Sequence, residues 1–223
     1  MSGTLFVVST PIGNLEDLSP RARRILSSAA VVACEDTRHT GRLLSRLGLQ
    51  NQLVSLHEHN EARRVPGLIE RLEAGEDIAV ASDAGTPLLS DPGFLLVREA
   101  ATRGLTIQAA PGPSAPLAAL VVSGLPPYPF TFAGFAPRKK GKRKTFLADL
   151  GRLGHTFVVF ESPHRILACL SDLAEELPER PISASRELTK LHEETLRGTA
   201  AEILEVLEGR PSIKGEFVLV VGP

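Results

Sequence analysis

The stretch LFVVSTPIGNLEDLSP, residues 5–20, carries the clearest local signals of fold class in this chain. Its first five residues predict a buried strand, and Ser19 followed by Pro20 predicts the start of a helix. Proteins of the α/β class often bind a cofactor where such a strand gives way to a helix. The loop between them reads TPIGN, which is neither of the glycine-rich patterns that cradle phosphate groups. The nature of a ligand at this strand end is therefore left open.

The same order, a short apolar run followed by a helical pattern, recurs along the first half of the chain. The other four apolar runs are AVVACE (30–35), LVSL (53–56), DIAVAS (77–82) and LTIQAA (105–110). Asp91 is expected to cap the helix that follows DIAVAS, and Pro92 is expected to lie in its first turn. Five strand–helix units in about 120 residues predict a mostly parallel sheet with helices on both faces.

The second half is separated by the proline-rich stretch GLPPYPFTFAGFAP at 124–137. We predict two α/β domains, 1–122 and 123–223. In the second, the turns are shorter and the strands more β-branched, which indicates a mixed sheet with antiparallel pairs. The expected order is strand FTFAGF, a helix over 143–151, strand 155–161, a helix over 163–177, strand 181–187, and late strands near EETLRG and EFVLVV.

Composition excludes several classes of protein. The chain has 223 residues, a net charge of −1 and a pI near 6.6, so it is no general polyanion binder. Cys34 and Cys169 are far apart and follow no zinc or disulfide pattern, which suits the reducing cytoplasm. The N-terminal residues do not read as a signal peptide. No apolar run approaches the roughly 18 residues of a membrane span.

Six loops rich in Gly, Pro, Ser and Asp follow predicted strands. They are TPIGN (10–14), EDTRHT (35–40), SDAGTPLLSDPG (82–93), APGPSA (110–115), ESPHR (161–165) and RELTK (186–190). Any one of them is explained by ordinary turn chemistry. Six such loops at strand ends favour a ligand site built from backbone groups.

The motifs TPIGNLEDLS, CEDTRHTGRLL, LHEHNE, SDAGTPLLSDPG, PGPSA, FESPHR, RELTK and GEFVLVV together resemble the ribosomal RNA small-subunit methyltransferase I family. That family is the 16S rRNA cytidine-2′-O-methyltransferase branch of the tetrapyrrole (precorrin/corrin) methylases. The motifs run in order over residues 5–222, almost the whole chain. The resemblance implies a homodimeric S-adenosylmethionine enzyme of two α/β domains, with the cofactor in the cleft between them. This cofactor carries no phosphate, which accounts for the TPIGN loop.

Transferring the family pattern onto this chain implies a set of cofactor-binding residues. They are Pro11, Ile12 and Gly13; Asp83, Ala84, Gly85, Thr86 and Pro87; Ser114 and Ala115, after Pro111 and Gly112; and Phe160 and Glu161. Relatives have Asp where this chain has Thr86, so any contact by that side chain differs. The TPIGN loop favours the rRNA branch over the tetrapyrrole branch, whose first loop is richer in glycine.

Methylation of a ribose hydroxyl needs a group that accepts its proton, and no metal is required. The main candidates are Glu35, Asp36 and His59, beside His57, Asp83, Glu161 and His164. Each has an alternative: Glu35 and Asp36 could form an ion pair or a helix cap, and the histidines could be structural. The sequence does not choose among them.

Charge is concentrated at RKKGKRK, with six cations in seven residues. On a glycine-interrupted loop, such a run is either a solvated surface or a footprint for RNA. The resemblance favours RNA, namely 16S rRNA within the small ribosomal subunit. The expected RNA-binding residues are Arg38, Arg138, Lys139, Lys140, Lys142, Arg143 and Lys144, extended by Arg21, Arg23, Arg24, Arg42 and Arg46 if their helices share a side.

Two other functions compete with this one. A methylase acting on a tetrapyrrole would explain the fold but not the basic run. A ribosome-assembly factor without enzymatic activity would explain the basic run but not the six loops. Many relatives also continue past GEFVLVVGP into a small helical piece. If that piece helps to hold RNA, this chain is expected to bind its substrate by other means or to depend more on the basic run.

Overall fold

The computed structural model describes all residues, Met1–Pro223, in two compact units, Met1–Ser114 and Ala115–Pro223. The sequence analysis places the boundary after residue 122, whereas helix α5 (Ala115–Ser123) packs against strands of the second unit. No helix combines the length and the apolar character that crossing a membrane requires.

The first unit is a five-stranded parallel sheet in the order β3-β2-β4-β1-β5. This confirms the predicted parallel α/β fold. Its elements are β1 (Thr4–Val8), a short 3-10 helix (Leu15–Asp17), α1 (Pro20–Ser28), β2 (Val31–Cys34), α2 (Thr37–Arg46), β3 (Leu53–Ser55), α3 (Glu61–Glu73), β4 (Ile78–Ala81), α4 (Phe94–Thr102) and β5 (Thr106–Ala110).

Alternate residues of each strand serve two cores. Val31 and Val80 face the side covered by α3 and α4, whereas Val32 and Ala79 face the side covered by α1 and α2. Successive side chains of a strand point to opposite faces, so a central strand must be apolar throughout. This is why β2 and β4 read as continuous apolar runs.

The start of α4 differs from the sequence prediction. The helix begins at Phe94, with Gly93 as its N-cap at φ 114°, and neither Asp91 nor Pro92 belongs to it. The carboxylate of Glu61, on α3, replaces the local cap. Its Oε1 accepts hydrogen bonds from the backbone N–H groups of Gly93 (3.1 Å) and Leu95 (2.7 Å). A cap from another helix cannot be found by local pattern.

The second unit holds a mixed sheet, as predicted, and its strands lie in the order β6-β7-β10-β8-β9. Strands β6 and β7 are parallel, and the other three pairings are antiparallel. After α5, the elements are β6 (Phe130–Phe135), α6 (Lys140–Gly151), β7 (Thr156–Glu161), α7 (Ile166–Glu176), β8 (Ile182–Arg186), β9 (Glu194–Gly198), α8 (Ala200–Glu208) and β10 (Phe217–Val221).

Two helices of this unit correct the sequence analysis. Helix α6 begins at Lys140 rather than residue 143, so most of the basic run is helical and not a loop. Helix α8 was missed altogether. Its signal is present: Thr199 and Glu202 form a capping box at its start, and Ile203 and Leu207 form its buried side.

Candidate functional site

The loops after β1, β2, β4 and β5 share one edge of the first sheet because all its strands are parallel. Two of them are tied to each other by an isolated bridge. The N–H of Thr10 donates to Gly85 O (2.9 Å), and the N–H of Gly85 donates to Thr10 O (3.1 Å). The Thr10 hydroxyl donates to Ser82 O (3.1 Å), and the Ser82 hydroxyl to Gly85 O (2.8 Å). The TPIGN and SDAGTP loops therefore form one fixed surface.

Thr86 joins this surface to the loop after β5. Its hydroxyl donates to Pro113 O (3.0 Å) and accepts a hydrogen bond from the Ser9 hydroxyl (3.2 Å). A hydroxyl has one proton to donate. Thr86 uses this proton in its hydrogen bond to Pro113 O. The residue therefore holds three loops together and has no free donor for a ligand. The sequence alone had only indicated that its contact differs from that of an aspartate.

Two glycines allow the loops to approach so closely. Gly85 has φ +85°, and a Cβ there would lie 3.1 Å from Cγ2 of Ile12. A Cβ on Gly112 would lie only 2.9 Å from Cβ of Ser9. A side chain at Gly112 would force Ser9 to shift, whereas at Gly85 the contact is tight and the left-handed backbone conformation favours glycine.

The expected cofactor residues of this unit lie on that surface and differ in exposure. Pro11, Ile12, Gly85 and Pro87 are buried, whereas Gly13 and Ala84 are exposed. The buried hydroxyl of Ser114 has no hydrogen-bond partner within the protein. Small, apolar and backbone groups beside an unpartnered hydroxyl fit a ligand without phosphate, such as S-adenosylmethionine.

Carboxylates gather at the ends of β2 and β4. Burial raises the pKa of Asp91 to about 7, and the charges of Glu35 and Asp83 add to this effect. The pKa of Glu35 is also raised, first by burial and then by Asp83 and Glu58. The N–H of Asp36 donates to Asp83 Oδ1 (3.4 Å), which links the two loops. The sequence analysis treated Asp91 only as a helix cap and so missed it as a titrating group.

Asp36 has the structural role that the sequence left open. Its Oδ1 accepts from the N–H (2.8 Å) and Nε (3.1 Å) of Arg38, and its Oδ2 pairs with Nη2 of Arg38 at 2.8 Å. These interactions hold the pKa of Asp36 well below its usual range. It is therefore the N-cap of α2 and a weak base, whereas Glu35 beside it has a raised pKa.

The two histidines after β3 form a pair. The rings of His57 and His59 meet edge to face with centroids 6.0 Å apart. Nδ1 of His57 is buried without a partner, while His59 is exposed. No group of three or more His, Cys, Asp or Glu side chains in the chain is arranged to hold a metal ion.

In the second unit, Phe160 and Glu161 end β7. The ring of Phe160 packs against the rings of Phe132 and Phe135, with distances between ring centroids of 5.0 Å and 5.3 Å. The buried carboxylate of Glu161 accepts from the N–H of Ser162 (2.8 Å) and pairs with Nη2 of Arg165 (2.9 Å). Both oxygens of Glu161 are thus engaged within the loop itself.

Three of the six cations of the basic run, Lys140, Arg143 and Lys144, are paired with acidic side chains. Arg143 is 5% exposed, and its Nε pairs with Oδ2 of buried Asp172 at 2.6 Å. Lys144 pairs with Glu175 (2.7 Å) and Glu176 (2.9 Å), and Lys140 lies 3.5 Å from Glu175. Arg143 is therefore part of the packing between α6 and α7 and is not available to RNA. The exposed cations without acidic partners in this run are Arg138, Lys139 and Lys142.

Comparisons with known proteins place this geometry in context. Residues 4–204 match the model of the family described as Tetrapyrrole (Corrin/Porphyrin) Methylases. A protein of Xylella fastidiosa named Ribosomal RNA small subunit methyltransferase I is 49% identical over 98% of this chain and 81% of its own length. One of the same name from Mesorhizobium japonicum is 47% identical over 98% of this chain and 75% of its own.

Solved structures share the fold at lower identity. A diphthine synthase superposes with a TM-score of 0.73 at 17% identity, covering 99% of this chain and 90% of its own. A uroporphyrin-III C-methyltransferase from Thermus thermophilus, complexed with S-adenyl homocysteine, gives a TM-score of 0.66 at 20% identity, with 99% and 97% covered. At these identities the likeness concerns the fold alone.

Proposed function

The chain belongs to the tetrapyrrole methylase family and, within it, to the ribosomal RNA small subunit methyltransferase I group, and from that premise we propose that it methylates the ribose 2′-oxygen of a cytidine in the decoding centre of 16S rRNA. The protein is an S-adenosylmethionine-dependent methyltransferase. The near-full-length match to proteins named for the small-subunit rRNA carries the choice of substrate class. The proposal includes cytoplasmic action on the small ribosomal subunit and a homodimeric enzyme.

In this proposal the cofactor lies on the tied loops of the first unit. Backbone groups of 11–13 and 83–87 line it, and the unpartnered hydroxyl of Ser114 bonds one of its polar groups. The loops are held in place without the ligand by the Thr10–Gly85 bridge and by Thr86. A preformed surface of this kind orients a ligand at little entropic cost. S-adenosylmethionine itself supplies an electrophilic methyl group.

The carboxylates at the ends of β2 and β4 are the proposed proton acceptors. A ribose hydroxyl is a weak nucleophile at neutral pH, and the most effective acceptor has a pKa near the working pH. Asp91, with a pKa of about 7, meets that condition, and Glu35 is shifted in the same direction. Asp36 is unsuited because Arg38 and the helix start hold its proton affinity low.

The test is transfer of a labelled methyl group to three acceptors: small ribosomal subunits lacking the modification, naked 16S rRNA and uroporphyrinogen III. We expect label in RNA, with subunits the better acceptor. Label in the tetrapyrrole alone would replace the proposal by the activity of the fold relatives. Cofactor binding without transfer to any acceptor would contradict the proposed substrate, and loss of cofactor binding altogether would favour the assembly-factor alternative.

A further inference from the structure

Helices α1 and α2 carry an unusual excess of one charge. They contain six arginines, Arg21, Arg23, Arg24, Arg38, Arg42 and Arg46, and no aspartate or glutamate. Both helices cover the same face of the first sheet, since Leu26 of α1 and Leu44 of α2 belong to one core cluster. A hydrogen bond from Nη2 of Arg23 to Leu47 O (2.7 Å) joins α1 to the end of α2. The two helices therefore present one continuous outer surface.

Four of these arginines point away from the core. On α2 the buried residues are Thr40, Leu43 and Leu44, so positions 38, 42 and 46 lie on the opposite, outer side. On α1 the buried residues are Ala22, Ile25 and Leu26, which places position 24 outward as well. We name this surface the arginine face: Arg24, Arg38, Arg42 and Arg46, all of them exposed.

The charge of the arginine face is not neutralised within the protein. Of the four, only Arg38 has an acidic partner, Asp36, and its side chain is still 86% exposed. The pairs at spacing four, Arg38 with Arg42 and Arg42 with Arg46, repel each other along the helix. In the basic run, by comparison, Lys140, Arg143 and Lys144 are matched by acids of α7, and only Arg138, Lys139 and Lys142 have no acidic partner. An unmatched stripe that costs stability is best explained by an external anion.

We propose that the arginine face binds the phosphate backbone of the RNA substrate. The inference rests on the proposed function. Guanidinium groups suit phosphate because they donate two parallel hydrogen bonds and remain charged at every relevant pH. Contacts of this kind position an RNA without reading its sequence. They are also sensitive to salt, because each releases counterions from the RNA.

The test compares two triple variants of equal charge change. The first, R24Q/R42Q/R46Q, removes three unpaired cations from the arginine face. The control, R63Q/R64Q/R98Q, removes three exposed arginines without acidic partners from α3 and α4, on the opposite side of the same sheet. Binding to a 16S rRNA transcript is measured by filter retention between 50 and 300 mM salt, beside affinity for S-adenosylhomocysteine and methyl transfer to small subunits.

The expected result is that the first variant binds RNA at least about tenfold more weakly at 0.1 M salt, with the slope of log K against log salt smaller by about 2 to 3. Its cofactor affinity is unchanged, and the control stays close to the original protein. If the control loses as much RNA affinity as the first variant, only net charge matters and the inference is wrong. If the original protein methylates RNA and the first variant binds RNA as tightly as the original protein does, RNA binding by the arginine face is refuted while the proposed function stands. If no RNA substrate is methylated by the original protein, the proposed function fails and the inference with it.

Discussion

Replacing Asp91 by asparagine is predicted to stabilise the protein in a way that depends on pH. Its carboxylate is half-buried near Glu35 and Asp83, and its pKa of about 7 lies far above the 3.8 of a free aspartate. Because the folded form holds the proton more tightly, stability is lost as the pH rises between those two values. Below about pH 4 there is no loss, and above pH 7 it is complete.

The size of the effect follows from the shift. About three pKa units correspond to roughly 4 kcal/mol at 1.36 kcal/mol per unit, which is an upper limit. Partial exposure to water screens the neighbouring charges, so we expect about 1–2 kcal/mol. The D91N variant should therefore be more stable by that amount at pH 8, with a much smaller gain at pH 4.5. Because Asp91 is a proposed proton acceptor, the same variant should lose methyl transfer.

Urea unfolding of both proteins at the two pH values measures the difference. The matched control is D17N, the same chemical change at an exposed aspartate of the same unit. A D91N variant that gains nothing at pH 8, or gains equally at pH 4.5, would refute the electrostatic account of this carboxylate group. Full methyl-transfer activity of D91N would show that Asp91 is not the proton acceptor.

Two further changes test the architecture. In E61A the backbone N–H groups of Gly93 and Leu95 lose their buried acceptor, so the free energy of unfolding should fall by about 2–4 kcal/mol. E61Q should lose less, because its amide oxygen still accepts these hydrogen bonds. Equal stability of E61A and the original protein in a urea titration would contradict the role of Glu61 as a cap. D172A leaves the buried charge of Arg143 unpaired and should lower the free energy of unfolding by about 3–5 kcal/mol. The double variant R143M/D172L should lose much less stability in the same titration. Similar losses in both variants would argue against an isolated buried charge as the cause.

Much of the fold could be predicted from the sequence, since the deciding signals are local. The apolar runs of β2 and β4 and the Ser19 cap of α1 are confirmed, with the Ser19 side chain accepting from the N–H of Ala22 at 3.1 Å. The missed helix α8 also had a local signal in Thr199 and Glu202.

The errors at the candidate site have a different origin, because they depend on partners distant in the chain. RKKGKRK looks free in the sequence, yet Asp172 and Glu175 on α7 neutralise much of it. Asp91 reads as a helix cap, but Glu61 takes that role and leaves Asp91 among other carboxylates. Sequence patterns indicate which residues carry charge, whereas packing decides which charges remain available.

The most direct test of the central claim is the identity of the methylated nucleoside. Small subunits lacking the modification are incubated with this protein and labelled S-adenosylmethionine, and their RNA is digested to nucleosides and separated. We expect label in 2′-O-methylcytidine, located at one position of 16S rRNA in the decoding centre. Label in a base-methylated nucleoside, or spread over many positions, would contradict it.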